Sequence, residues 1–110
     1  MSTNQEHDLH TPVDLQTLVE YQSGSIVSRT LVKKPSGTMT LFAFDAGEGL
    51  SEHTAPYEAL VELVDGEMEI EVGGETHRVS KGEVLLLPAN VPHALRAQRP
   101  CKMMLTMMRS

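Results

Sequence analysis

His53 and His93 are the residues of this chain best suited to do chemistry. An imidazole changes protonation near neutral pH and can act as a metal ligand, a proton acceptor or a hydrogen-bonding handle. The two lie far apart in sequence, each near a strand beginning or turn, with His93 directly after Pro92. Taken singly, a histidine beside a proline turn reads as a hydrogen-bonded structural residue. His77 stands next to the Gly73-Gly74 turn, where solvent exposure is expected. Glu67, Glu69 and Glu71 share one strand face at a spacing of about 7 Å, too far apart for that strand alone to coordinate Ca²⁺ compactly. They read as a solvated stripe that discourages strand-to-strand aggregation. The single cysteine, Cys101, cannot form an internal disulfide, which fits a reducing compartment, and it reads as a small apolar strand residue.

The elements that must position these groups are strands. A chain of 110 residues is one domain in size. Residues 1–11 are polar and aperiodic and read as a flexible N-terminal arm, leaving 12–110 as the domain. In PVDLQTLVEY, Val13, Leu15, Leu18 and Val19 have helical spacing behind Asp14, so a short helix or turn is expected there. Beyond it, β-rich runs bounded by turn residues predict strands over 25–33, 38–45, 52–55, 58–64, 67–72, 75–79, 83–87, 93–97 and 102–109. The clearest is EMEIEV, where Met68, Ile70 and Val72 alternate with the three glutamates. Asp65-Gly66 and Gly73-Gly74 flank it as expected hairpin turns, which predicts a β-meander. VLLLP, at 84–88, is apolar on both faces, and CKMMLTMMR sets Met103, Leu105 and Met107 against Met104, Thr106 and Met108. Such strands are covered on both sides. A second copy of the chain is the expected cover, making a homodimer, with the N-terminal segment as the alternative.

Two segments carry a family resemblance. In GEGLSEHTAPYEALVELVDGE, Gly47, His53 and Gly66 match the first motif of the cupins, but Ala55 and Ala59 replace its second histidine and its glutamate. In GEVLLLPANVPHALRA, Gly82, Pro88 and His93 match the second motif, with Asn90 in place of a glycine and Ala97 in place of its asparagine. Asparagine is the best non-glycine residue for a left-handed backbone, so the turn at Asn90 should survive. The resemblance implies an all-β fold, the cupin double-stranded β-helix or jelly-roll barrel, with a pocket between the sheets at one end. His53 and His93 would point into it, with Ala55, Tyr57, Ala59 and Val61 as the expected lining.

Of the four usual cupin metal ligands, two remain. A transition-metal site generally takes at least three protein ligands. A divalent Zn, Fe, Mn or Ni would therefore use His53 and His93 and recruit a third donor. Glu58 is the nearest candidate, but alternation turns it to the other face unless a bulge at Pro56 shifts the register. The leading expectation is a module that binds a small polar or carboxylate metabolite through the two histidines. The alternative is a metal-dependent enzyme of the dioxygenase, decarboxylase or isomerase type, or a metal-free one using a histidine as general base. A net charge of −6 offers nothing to attract nucleic acid. The longest apolar run, 84–89, is far short of the roughly 20 residues of a membrane span, and the N-terminus lacks a signal-peptide plan, so a cytoplasmic chain with no membrane partner is expected.

Overall fold

A computed structural model describes residues 9–109. Nine strands follow one turn of 3-10 helix at Leu15–Thr17: β1 (Ile26–Lys34), β2 (Gly37–Phe44), β3 (Gly49–His53), β4 (Glu58–Asp65), β5 (Glu67–Val72), β6 (Glu75–Ser80), β7 (Val84–Leu87), β8 (His93–Arg96) and β9 (Cys101–Met108). They form a five-stranded sheet, β1-β2-β9-β4-β7, and a four-stranded sheet, β3-β8-β5-β6. This all-β, two-sheet arrangement is of the kind the turn-bounded runs predict, and it agrees with the jelly-roll barrel that the resemblance implies. The helical turn also lies where expected, with the Asp14 side chain accepting from the Gln16 N–H at 3.0 Å. Much of the expected N-terminal arm lies outside the described residues.

The main core fills the space between the sheets. Phe44, Val61, Leu63, Met68, Ile70, Leu87 and Met103 are almost wholly buried there. Each such side chain contributes roughly 1.5–3 kcal/mol through area removed from water. Met68 and Ile70 point inward and the β5 glutamates outward, as the alternation of EMEIEV requires.

Three expectations change. The third strand occupies Gly49–His53 rather than 52–55, ending where Thr54, Ala55 and Pro56 turn the chain. Asp65-Gly66 is no hairpin, because β4 belongs to the five-stranded sheet and β5 to the four-stranded one, so the chain passes between sheets at Gly66. Gly66 has φ 72, and a Cβ there would meet the Pro100 carbonyl oxygen at 2.6 Å. By contrast Gly73-Gly74, at φ 57 and 89, does make the tight β5–β6 hairpin. Asn90 has φ 65, the left-handed turn expected of it.

The third change concerns the outer face of the five-stranded sheet. The N-terminal segment lies across part of it: Val19 joins Leu31, Leu41, Ala43, Val64 and Met104 in a second buried cluster, with Leu15 and Leu18 against its rim. Polar contacts fasten this strap. The ammonium of Lys102, 7% exposed, donates to the Gln16 carbonyl at 2.6 Å and sits 5.0 Å from the Tyr21 ring centroid. Tyr21 Oη donates to Asp65 at 2.6 Å, and burial followed by this carboxylate pushes its pKa up. Met104 is thus covered from within the chain. Val84 and Leu86, on the outer face of edge strand β7, remain 58% and 45% exposed.

Candidate functional site

His53 is the last residue of β3 and His93 the first of β8, and they face each other as a cross-strand pair. Regular alternation would not bring them together. Gly49 pairs with Arg96 and Leu50 with Leu95, and the register then slips between Leu50 and His53. One extra residue in β3 reverses which face the following side chain takes. This bulge turns His53 to the same inner side as Leu50.

The rings meet edge to face, with centroids 4.4 Å apart and an interplanar angle of 72°. Their Nε2 atoms are 3.1 Å apart. His53 Nδ1 contacts the Ser51 carbonyl at 2.8 Å and His93 Nδ1 the Val91 carbonyl at 3.3 Å. A carbonyl only accepts, so Nδ1 carries the hydrogen in each of these contacts and Nε2 is the ring atom left to meet a ligand. Two Nε2 atoms therefore converge on one place. That pair is completed by a hydrogen: one shared proton, or an O–H or N–H donor brought by a ligand. Burial, the largest influence on His93, holds its pKa below the ordinary value, the Val91 contact opposes this and the neighbouring His53 reinforces it. His93 therefore favours the neutral, hydrogen-accepting ring.

Both rings border a cavity of about 60 Å³. At ~30 Å³ per water, it holds about two water-sized groups. Ala55, Tyr57 and Ala59 line it as well, and the alanines leave open the space that larger side chains would fill. Val61 is wholly buried in the core and does not border the cavity. Glu58 is exposed beside inward-facing Ala59, so it is not brought to the histidines. His77 is half-buried on β6, 3.9 Å from the Glu75 carboxylate. The buried Cys101 thiol is pushed up to about 11, first by burial and then by the Asp65 charge, and stays protonated at neutral pH.

Sequence reasoning missed the apolar walls: Leu50, Leu87, Leu95, Met103, Leu105 and Met107. The signal was present in β9, whose Met103, Leu105 and Met107 share one face, but which face looks inward depends on pairing. A larger depression of about 470 Å³ lies outside the four-stranded sheet, bordered by Gly49, Glu69, Glu71 and Arg96. It is open and shallow and includes neither histidine, so the smaller cavity is the better candidate.

Among the described residues no group of three or more His, Cys, Asp or Glu side chains is placed to hold a metal ion. Two imidazoles with anchored Nδ1 atoms suit two positions on a metal, since metal-bound histidines are commonly oriented in this way. Ala55 and Ala59 supply no third donor, and these residues do not fit a tightly held resident ion.

A family model described as "Cupin domain" matches residues 40–107. A conserved protein of unknown function from Streptococcus pyogenes superposes with a TM-score of 0.90 at 33% identity, covering 99% of this chain and 94% of its own. A cupin 2 conserved barrel domain protein from Leptotrichia buccalis gives a TM-score of 0.81 at 46% identity, over 84% of this chain and 45% of its own. The curated protein "Polyketide synthase CurC" of Streptomyces cyaneus is 33% identical over 73 residues, which is 66% of this chain and 47% of that protein. The chain thus spans about half the length of this curated relative.

Proposed function

This chain belongs to the cupin domain family, and from that premise we propose that it binds a small polar metabolite, carboxylate-bearing or hydroxylated, in the cavity closed by His53 and His93. The observation that carries the reading is the convergence of two Nε2 atoms, 3.1 Å apart, at the edge of an otherwise apolar cavity. Ligand pockets are built in this way, with apolar walls and a few polar groups that orient the occupant. The pair of Nε2 atoms takes one hydrogen, and a ligand hydroxyl can supply it. The cavity admits only a small group, so the ligand is short or reaches in with one end. The name of the curated relative makes polyketide synthesis one context in which to look for it.

A thermal-shift screen of short acids, hydroxy acids and sugars tests this. A ligand at ten times its Kd stabilises the native state by about 1.4 kcal/mol, which raises the Tm of a domain this size by roughly 5–10 °C. The shift should vanish in the His53→Ala, His93→Ala double variant. A screen without any shift, or one the double variant retains, would sink the proposal.

A metal-dependent enzyme of the dioxygenase, decarboxylase or isomerase type is the second reading, favoured only by the anchoring of both Nδ1 atoms on backbone carbonyls. It fails if protein offered Zn, Fe, Mn and Ni retains less than about one-tenth of a metal ion per chain after desalting, because a site of that weakness lacks the usual three protein ligands. We further propose that the chain works as a homodimer joined over Val84 and Leu86, the large apolar side chains left exposed on β7. A cytoplasmic setting suits the unpaired Cys101, and among the described residues no helix is long and apolar enough to cross a membrane.

A further inference from the structure

The inner faces of β4 and β9 form a ladder that climbs from the core to the cavity: Leu63–Met103, Val61–Leu105, Ala59–Met107. One more step in the same register sets Tyr57 opposite Arg109, just beyond the strand ends. The side chains are found together there, with the guanidinium carbon of Arg109 5.5 Å from the Tyr57 ring centroid. Tyr57 borders the histidine cavity and is 36% exposed, so its ring stands between cavity and solvent, and Arg109 is the cation beside it. The backbone at Arg109 is fastened, its N–H donating to the Ser36 carbonyl at 2.8 Å. Among the described residues no carboxylate pairs with this guanidinium. A guanidinium held against a ring face need not spend its N–H groups there, and its fork matches a carboxylate with two parallel hydrogen bonds.

We propose that Arg109 is the specificity-determining residue of this pocket, taking the ligand's carboxylate at the mouth while the ligand's hydroxyl donates to the His53 and His93 pair inside. This rests on the binding function proposed above and narrows its ligand to one class, short hydroxycarboxylic acids. The division of labour follows from the chemistry of each end. The fixed positive charge stands at the solvent edge, where an anion keeps part of its hydration. Two nitrogen acceptors stand inside, where a hydroxyl fits without bringing a charge into an apolar cavity. An acid without the hydroxyl leaves the acceptors unfilled, and a neutral analogue leaves the guanidinium unused.

The test titrates glycolate, lactate and 3-hydroxybutyrate, each against its own amide, into the full chain at neutral pH and low salt, following the ring resonances of His53 and His93. For at least one pair, the acid should bind about tenfold more tightly than the amide, the discrimination expected of one charge-assisted fork. Arg109→Gln should erase that preference by weakening the acid and leaving the amide unchanged, and Arg109→Lys should restore part of it. Arg109 is exposed, and an unchanged melt of the free variants separates this effect from misfolding. An acid-to-amide ratio unaltered in Arg109→Gln, with the thermal shift of both ligands lost in the double histidine variant, would overturn the role of Arg109 and leave the binding pocket standing. Wild-type protein whose histidine resonances respond to neither acids nor amides would overturn both.

Discussion

His93 begins β8 with 7% of its surface exposed, and that burial has a consequence for stability. Its folded pKa lies below the ordinary 6.5, so below that pH the unfolded chain binds more protons than the folded one. The stabilisation is complete above about 6.5 and is lost as pH falls through the folded value. The Tm of the wild type should therefore fall on acidification from neutrality more steeply than that of His93→Gln. Parallel melts with equal slopes would contradict the burial argument. Gly66 is a second single-residue constraint. Alanine there combines φ 72 with a Cβ 2.6 Å from the Pro100 carbonyl oxygen and 3.1 Å from Cys101 Cβ. Gly66→Ala should cost about 2 kcal/mol or more in urea unfolding, above the usual loss for alanine at positive φ. Gly74→Ala keeps the φ penalty without a neighbour within 4 Å, and should cost less.

At the scale of elements, the N-terminal strap depends on Lys102, whose ammonium serves both the Gln16 carbonyl and the Tyr21 ring. Lys102→Ala leaves that partly buried carbonyl without its donor, and should destabilise the fold by about 1–3 kcal/mol. Hydrogen exchange should rise first in the turn at Leu15–Thr17 while the central strands stay protected. Uniform exchange across strap and barrel would contradict a separable element. How far such elements were legible depended on whether their signal was local. Alternation in EMEIEV and the paired glycines at 73–74 announce β5 and its hairpin within a few residues. The passage between sheets at Gly66 looks like a hairpin from inside the chain, because sheet membership is decided by distant partners. The bulge in β3 was illegible for the same reason: it is a relation between Leu50–Leu95 and His53–His93, not a property of either segment. The spacing of the two motifs nevertheless singled out both histidines, since the family pattern encodes that pairing. Arg109 was missed because placing it on the inner face requires the register of β9 against β4.

Over the whole molecule, the sheets leave two different surfaces. The strap covers one part of the five-stranded sheet, whereas Val84 and Leu86 on β7 face outward without a cover among the described residues. Light scattering should give about twice the 12.1 kDa chain mass for the wild type, and Leu86→Glu should return it to one chain, because a buried unpaired charge is costly at an apolar interface. A single-chain mass for the wild type would refute the dimer. Between the sheets, two imidazoles anchored through Nδ1 offer converging Nε2 acceptors to a ligand. The most direct measurement is the ring ¹⁵N spectrum of His53 and His93, recorded at neutral pH with and without a stabilising acid from the screen. This arrangement predicts Nδ1–H tautomers for the two rings and a shift of both Nε2 resonances on addition of the acid. Nε2–H tautomers in the free protein, or Nε2 signals that ignore a ligand known to bind, would contradict it.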